Sequence, residues 1–104
     1  MTLREWLHDR EPAPPDRLAA RIDAVLGERA DADNGRAAAH CLDAAEELLS
    51  ELAARPSAGR ESALDLLTVD ALVTYAFEAA ADAPASLEAT ATAAMIRLAA
   101  TARS

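Results

Sequence analysis

Lysine is absent from this 104-residue chain, which sets 10 arginines against 18 carboxylates for a formal charge of -8. Duplex DNA, RNA and anionic membrane surfaces are recognised through excess positive charge, so this balance argues against all three as partners. Cysteine is nearly absent too. The single Cys41 excludes an internal disulfide framework and a cysteine-based zinc cluster within one chain, and it fits a reducing compartment. The three glycines, Gly27, Gly35 and Gly59, stand alone, so no loop is built to cradle a phosphate, and no nucleophile elbow is present. No uninterrupted apolar run is long enough to cross a bilayer. The opening Met1-Thr2-Leu3-Arg4-Glu5-Trp6 has neither a basic segment followed by an apolar one nor a transit character, so a cytoplasmic location is expected.

What the chain has is alanine, 29 of them, within a hydrophobic fraction of 52%. That composition combines strong helix propensity with weak β-propensity and is too apolar for disorder. Arginine without lysine alongside so much alanine also matches the codon bias of a GC-rich bacterial genome. The length suits one domain with one core and leaves no room for a catalytic domain beside a cofactor domain.

Leu3, Trp6 and Leu7 fall at i, i+3 and i+4, and Thr2 with Glu5 forms a capping-box pattern, which predicts a short helix over residues 3 to 9. Pro12-Ala13-Pro14-Pro15 ends it. Pro15 and Asp16 open a second helix with Leu18, Ile22, Val25 and Leu26 on one face, closed by Gly27. Glu28 to Gly35 reads as an acidic loop. A third helix begins near Arg36 and stops before Pro56, with Ala38, Cys41, Leu42, Ala45, Leu48, Leu49 and Leu52 on its inner face. After a turn at Ser57-Ala58-Gly59, residues 61 to 82 form the most apolar segment, a central helix broken by Asp82-Ala83-Pro84. A last helix from Ser86 carries Leu87, Ala91, Ala94, Met95, Leu98 and Ala102 on one stripe, with Ala89, Ala93, Ile96 and Ala100 on its other side. The expected fold is all-α: a small helical bundle of three long helices over 36–104, with residues 1–27 packed across it through Trp6, Leu7, Ile22 and Leu26.

The segment from 61 to 82 presents two apolar stripes. Leu66, Val69, Val73, Ala76, Phe77 and Ala80 form one, and Leu64, Leu67, Ala71 and Tyr75 form another roughly opposite. Two arrangements remove the second stripe from water: cover by the N-terminal helices, or a two-fold homodimer. Alanine buries little area per residue, which favours association. Leu64, Leu67, Ala71, Tyr75 and Ile96 are the expected contact residues, with Tyr75 as the anchor.

Candidate chemistry is sparse. His40, Asp43, Glu47 and Glu51 share a helical face, and a histidine with carboxylates at i+3 and i+7 has the residue types of a divalent-metal site. The paired Glu-x-x-His motifs of carboxylate di-iron bundles are missing, the other histidine being His8, and a solvated acidic face is the plainer reading. A symmetric dimer would double the ligand count. Asp31-Ala32-Asp33-Asn34-Gly35 has the oxygen ligands of a calcium loop in the wrong register, because Leu42 stands where a bidentate Glu is needed. Cys41 lies in an apolar stripe with His40 turned about 100° away, so no thiol–imidazole pair forms.

Glu61-Ser62-Ala63-Leu64-Asp65-Leu66, at a helix start after a glycine-containing loop, resembles the Asp-Ser-Leu attachment site of acyl carrier proteins, which are also small, acidic and helical. The resemblance implies a phosphopantetheine arm on Ser62. It covers only those residues, and Ala63 stands where the family has Leu or Met; a first-turn serine is the plainer reading. The expectation is therefore a non-catalytic protein–protein interaction or oligomerisation module, a homodimer without cofactor or metal. A carrier modified at Ser62, or a metal-binding bundle using His40, Asp43 and Glu47, is the alternative.

Overall fold

The computed structural model describes residues 1–55, 59–82 and 87–103. It is all-α, as expected: α1 (Leu3–His8), α2 (Asp16–Leu26), α3 (Ala37–Ala54), α4 (Arg60–Ala81) and α5 (Leu87–Arg103). The turn expected at 57–59 and the break at 82–84 fall largely outside the described residues. The stretch read as a loop from Glu28 to Gly35 is instead two short 3₁₀ turns, Gly27–Asp31 and Asn34–Arg36, separated by two extended residues. Ala30 of the first is fully buried, which explains why a segment without large apolar residues is ordered.

With six residues, α1 is far too short to be helical alone. Three things hold it. Thr2 and Glu5 exchange both capping-box hydrogen bonds, at 2.9 and 3.2 Å. The Leu3 amide donates to the Ala32 carbonyl at 2.8 Å and the Asn34 amide to the Met1 carbonyl at 3.0 Å, pinning the N-terminus to the 3₁₀ segment. Leu3 and Trp6 then enter the core. α2 closes at Gly27, whose φ of 56° lies in the left-handed region that glycine alone adopts without strain.

Helix α3 is as central as α4: it packs against α2, α4 and α5. Its buried line is Ala37, Cys41, Leu42, Ala44, Ala45 and Leu48, and the small residues there let neighbouring helices approach closely. Against it lies the seam of α4, which runs through Asp65, Thr68, Leu72, Ala76 and Ala80. This line passes between the two stripes expected from the sequence, so neither stripe faces the core squarely. Leu66, placed on the inner stripe by hydropathy alone, is 54% exposed, and Met95 of α5 is 73% exposed. Both are corrections; for Leu66 the cause is that the polar residues Asp65 and Thr68 occupy seam positions of α4, where their groups are satisfied.

Asp65 is only 3% exposed. Arg21 Nε of α2 donates to one of its carboxylate oxygens at 2.7 Å, and Arg55, just past the end of α3, donates to the other at 2.8 Å. Thr68 Oγ1 donates to the Leu64 carbonyl at 2.8 Å, within its own helix. On the far side, Arg97 of α5 bridges Asp43 at 2.6 Å and Glu46 of α3, and Arg29 pairs with Glu47. Helices rich in alanine are thus tied to one another by arginine forks.

The hydrogen bond from Arg21, with that from Arg55, holds the Asp65 carboxyl below its ordinary value of 3.8, against the opposing pull of burial. A depressed carboxylate contributes stability that is fully present above the unfolded value and is lost as the pH falls below it. Asp65→Asn should therefore lower the unfolding free energy at neutral pH by about 2 kcal/mol. In urea titrations across the acid range, the variant should also lose less stability than the parent once the pH drops below that ordinary value. Equal acid sensitivity in the two proteins would show that Asp65 does not link the helices as described.

Candidate functional site

Two regions of the surface carry more than a folded core requires. One is the outward side of α4 and α5. The outermost line of α4, through Ala63, Asp70, Thr74 and Ala81, is exposed along its length. Leu66 and Leu67 stand on either side of it, Leu67 being 57% exposed, and on α5 Ile96 is 64% exposed. With Met95, these are four of the five large hydrophobic side chains exposed among the described residues, the fifth being Met1. Side chains of that size normally gain about 1.5–3 kcal/mol each on burial, a gain forgone here at four positions on two helices.

The expected contact residues divide here. Leu67 and Ile96 are exposed, whereas Leu64 and Ala71 are half-buried. Tyr75 goes elsewhere: at 9% exposure it belongs to the intrachain core, its ring edge-on to Trp6 at a centroid distance of 6.4 Å and an interplanar angle of 80°. Trp6 in turn lies beneath the guanidinium of Arg10, 4.3 Å from the ring centroid. The N-terminal helices therefore cover the Tyr75 end of the second stripe and leave its Leu67 end open. Cover by the N-terminal helices is thus realised over the Tyr75 half of the stripe alone, and Leu67 remains exposed.

The second region is a cleft of about 260 Å³ between α1, α2 and the proline-containing joint that connects them. Its apolar wall is made by Leu7, Ala19, Ile22 and Tyr75. Arg4, His8, Asp16 and Asp23 form the polar rim, and Ala13 and Pro14 close the joint side. Arg4 is committed within the rim, donating from Nε to Asp23 at 2.7 Å and also pairing with Asp31. Those two hydrogen bonds raise the Arg4 pKa above its ordinary value. Burial, and after it the charge of Glu78, raises that of the Tyr75 hydroxyl, which therefore stays protonated at neutral pH. The sequence reading missed this cleft because its walls come from three separated segments, none carrying a recognisable motif.

The acidic face proposed as a metal-site alternative is otherwise engaged. Asp43 pairs with Arg97 and Glu47 with Arg29, in different directions, and no group of three potential ligands converges among the described residues. Asp31 and Asp33 are likewise drawn apart, Asp31 to Arg4 and Asp33 to the Gly35 amide at 2.9 Å. Ser62 lies partly buried in the first turn of α4, one turn before Asp65. No helix among the described residues is long and apolar enough to cross a membrane. In comparisons with known proteins, no family model, no curated protein and no solved structure matches the chain.

Cys41 is fully buried between helices, and burial alone pushes its thiol up to about 12. The thiolate, which is the reactive form, is therefore negligible near neutrality. In the folded protein Cys41 should resist a disulfide-exchange reagent at pH 8, and it should react at the rate of a free thiol in urea. Rapid labelling under native conditions would mean that α3 opens locally around it.

Proposed function

We propose that the protein is a non-catalytic helical module that pairs with a second copy of itself through the outer faces of α4 and α5. The observation that carries this reading is that four of the five large hydrophobic side chains exposed among the described residues, Leu66, Leu67, Met95 and Ile96, stand on those two helices. Leu64 and Ala71 would lie at the margin of the contact. Tyr75 would not take part, since it is used within the chain.

Surface area supports the same reading. The chain exposes 6426 Å², whereas a folded monomer of its mass exposes roughly 5,600 Å². The excess, roughly 800 Å², equals one partner's share of a standard interface. A two-fold axis makes the occupant self-complementary, so the same leucine, isoleucine and methionine side chains meet their own copies, and no separate partner chemistry is needed. A helix-on-helix contact of this kind works by exclusion of water from apolar side chains rather than by any bond-making chemistry. Pairing brings two chains of charge -8 together, with Asp70 on the outward line of α4. Their repulsion weakens the dimer at low ionic strength.

Sedimentation equilibrium at micromolar concentration should give a dimer that tightens as salt is added, opposite to the behaviour of an assembly held by ion pairs. Leu67→Asp combined with Ile96→Asp should yield a monomer with unchanged far-ultraviolet circular dichroism, because both positions are solvent-exposed in one chain. A parent protein that sediments as a monomer would overturn the reading. So would a double variant that remains dimeric.

A further inference from the structure

Among the described residues, α5 is the helix whose exposed face holds no charge. Glu5 of α1, Asp23 of α2, Glu47 of α3 and Asp70 of α4 are all exposed. Between 91 and 102 the exposed residues of α5 are Thr92, Met95, Ile96, Ala99, Ala100 and Ala102. Arg97, the one ionisable residue of that span, is drawn to Asp43 and Glu46 of α3. In a chain with 27% charged residues, a charge-free face bearing exposed methionine and isoleucine has the composition of an interface core. The outward line of α4 differs, because Asp70 stands exposed within it. A two-fold axis sets each side chain near it against its own copy. An axis crossing α4 there would press two Asp70 carboxylates together, whereas one crossing α5 brings apolar side chains onto apolar ones.

We propose that the α5 helices of two copies pack antiparallel about a two-fold axis between Met95 and Ile96, with α4 at the flanks of the contact. The proposal rests on the dimer inferred above and adds its axis and orientation. Antiparallel packing lets the two helix dipoles attract, where parallel packing opposes them. Thr92 and Ala99 lie about one turn to either side of the axis, on the outer line of α5, and are small enough for helices to approach to ~8 Å. In this register Thr92 of one copy lies opposite Ala99 of the partner subunit. Two copies of Thr92, or of Ala99, are offset by about 10 Å along the helices.

Cysteine pairing reads that register directly, because Cys41 is buried with its thiol pushed up to about 12 and leaves an introduced surface thiol as the reactive one. Full-length Thr92→Cys and Ala99→Cys proteins, mixed at micromolar concentration and gently oxidised, should give mainly the mixed disulfide dimer. Like pairs should be scarce, since a disulfide cannot span the offset. In sedimentation equilibrium, Ile96→Asp alone should weaken the dimer about a hundredfold or more, with unchanged circular dichroism. Asp70→Asn should tighten it by no more than about twofold, since the two carboxylates do not meet. A monomeric parent would overturn this proposal together with the dimer beneath it. A dimeric parent in which like pairs predominate, in which no disulfide dimer forms, or in which Asp70→Asn tightens association about tenfold would overturn the α5 axis and leave the dimer standing.

Discussion

The carboxylate of Asp65, held between Arg21 and Arg55, is the contact on which the arrangement of this chain turns. It sits at one end of the α4 seam and joins three segments at a single point: α2, the residue just past the end of α3, and α4 itself. A buried carboxylate is costly unless each oxygen is satisfied, and here each oxygen has its own guanidinium. The side chains of both arginines remain about one-third exposed, so their charges keep some water while the aspartate does not. The contact specifies register as much as it adds stability. Sliding α4 by one residue would leave Asp65 buried without partners, and a hydrophobic seam of alanines has little else to resist such a shift.

That need follows from composition. Alanine makes close helix contacts but removes little area from water, so helix faces made of it are poorly distinguished from one another. The arginine forks supply the distinction. Arg97 reaches two carboxylates one turn apart on α3, Arg4 reaches one on α2 and one on the 3₁₀ turn, and Arg29 returns to α3. A planar guanidinium can address two acceptors at once, which an ammonium on a flexible stem does poorly. The absence of lysine, whatever its genomic origin, is therefore compatible with a structure whose helices are aligned by two-point contacts.

Much of the architecture was legible before the coordinates. The capping box at Thr2 and Glu5, the proline joint, the glycine stop at Gly27 and the inner line of α3 through Cys41, Leu42, Ala45 and Leu48 are all local signals, and they fall where the structure has them. Trp6, Ile22 and Leu26 enter the core as their spacing implies. The rotation of α4 was not legible from hydropathy, because its seam contains Asp65 and Thr68, which a polarity rule turns outward. The compensating signal lay elsewhere in the chain, in Arg21 and Arg55, and only the fold brings those residues to the same point. Asp43 and Glu46, spaced one turn apart, mark in the same way a carboxylate pair suited to a guanidinium, but nothing local names Arg97 as its partner. The cleft was hidden for a related reason: Tyr75 is 53 positions from Ile22, its nearest fellow in the wall.

The two surface features have a common origin in how the N-terminal segment meets α4. That segment is two short helices and a stiff joint, long enough to cover Tyr75 and to place Arg21 on Asp65, but not long enough to reach over Leu67. Its incomplete cover leaves Leu67 on the outer flank exposed. The same short reach makes the joint stand away from α2, and the space under it is the cleft. Because α1 is stable only through its contacts, with Leu3 in the core, Trp6 on Tyr75 and the N-terminal residues on the 3₁₀ segment, anything that fills the cleft acts on an element with little helicity of its own. In a chain this small, the element that completes the core also walls the cleft.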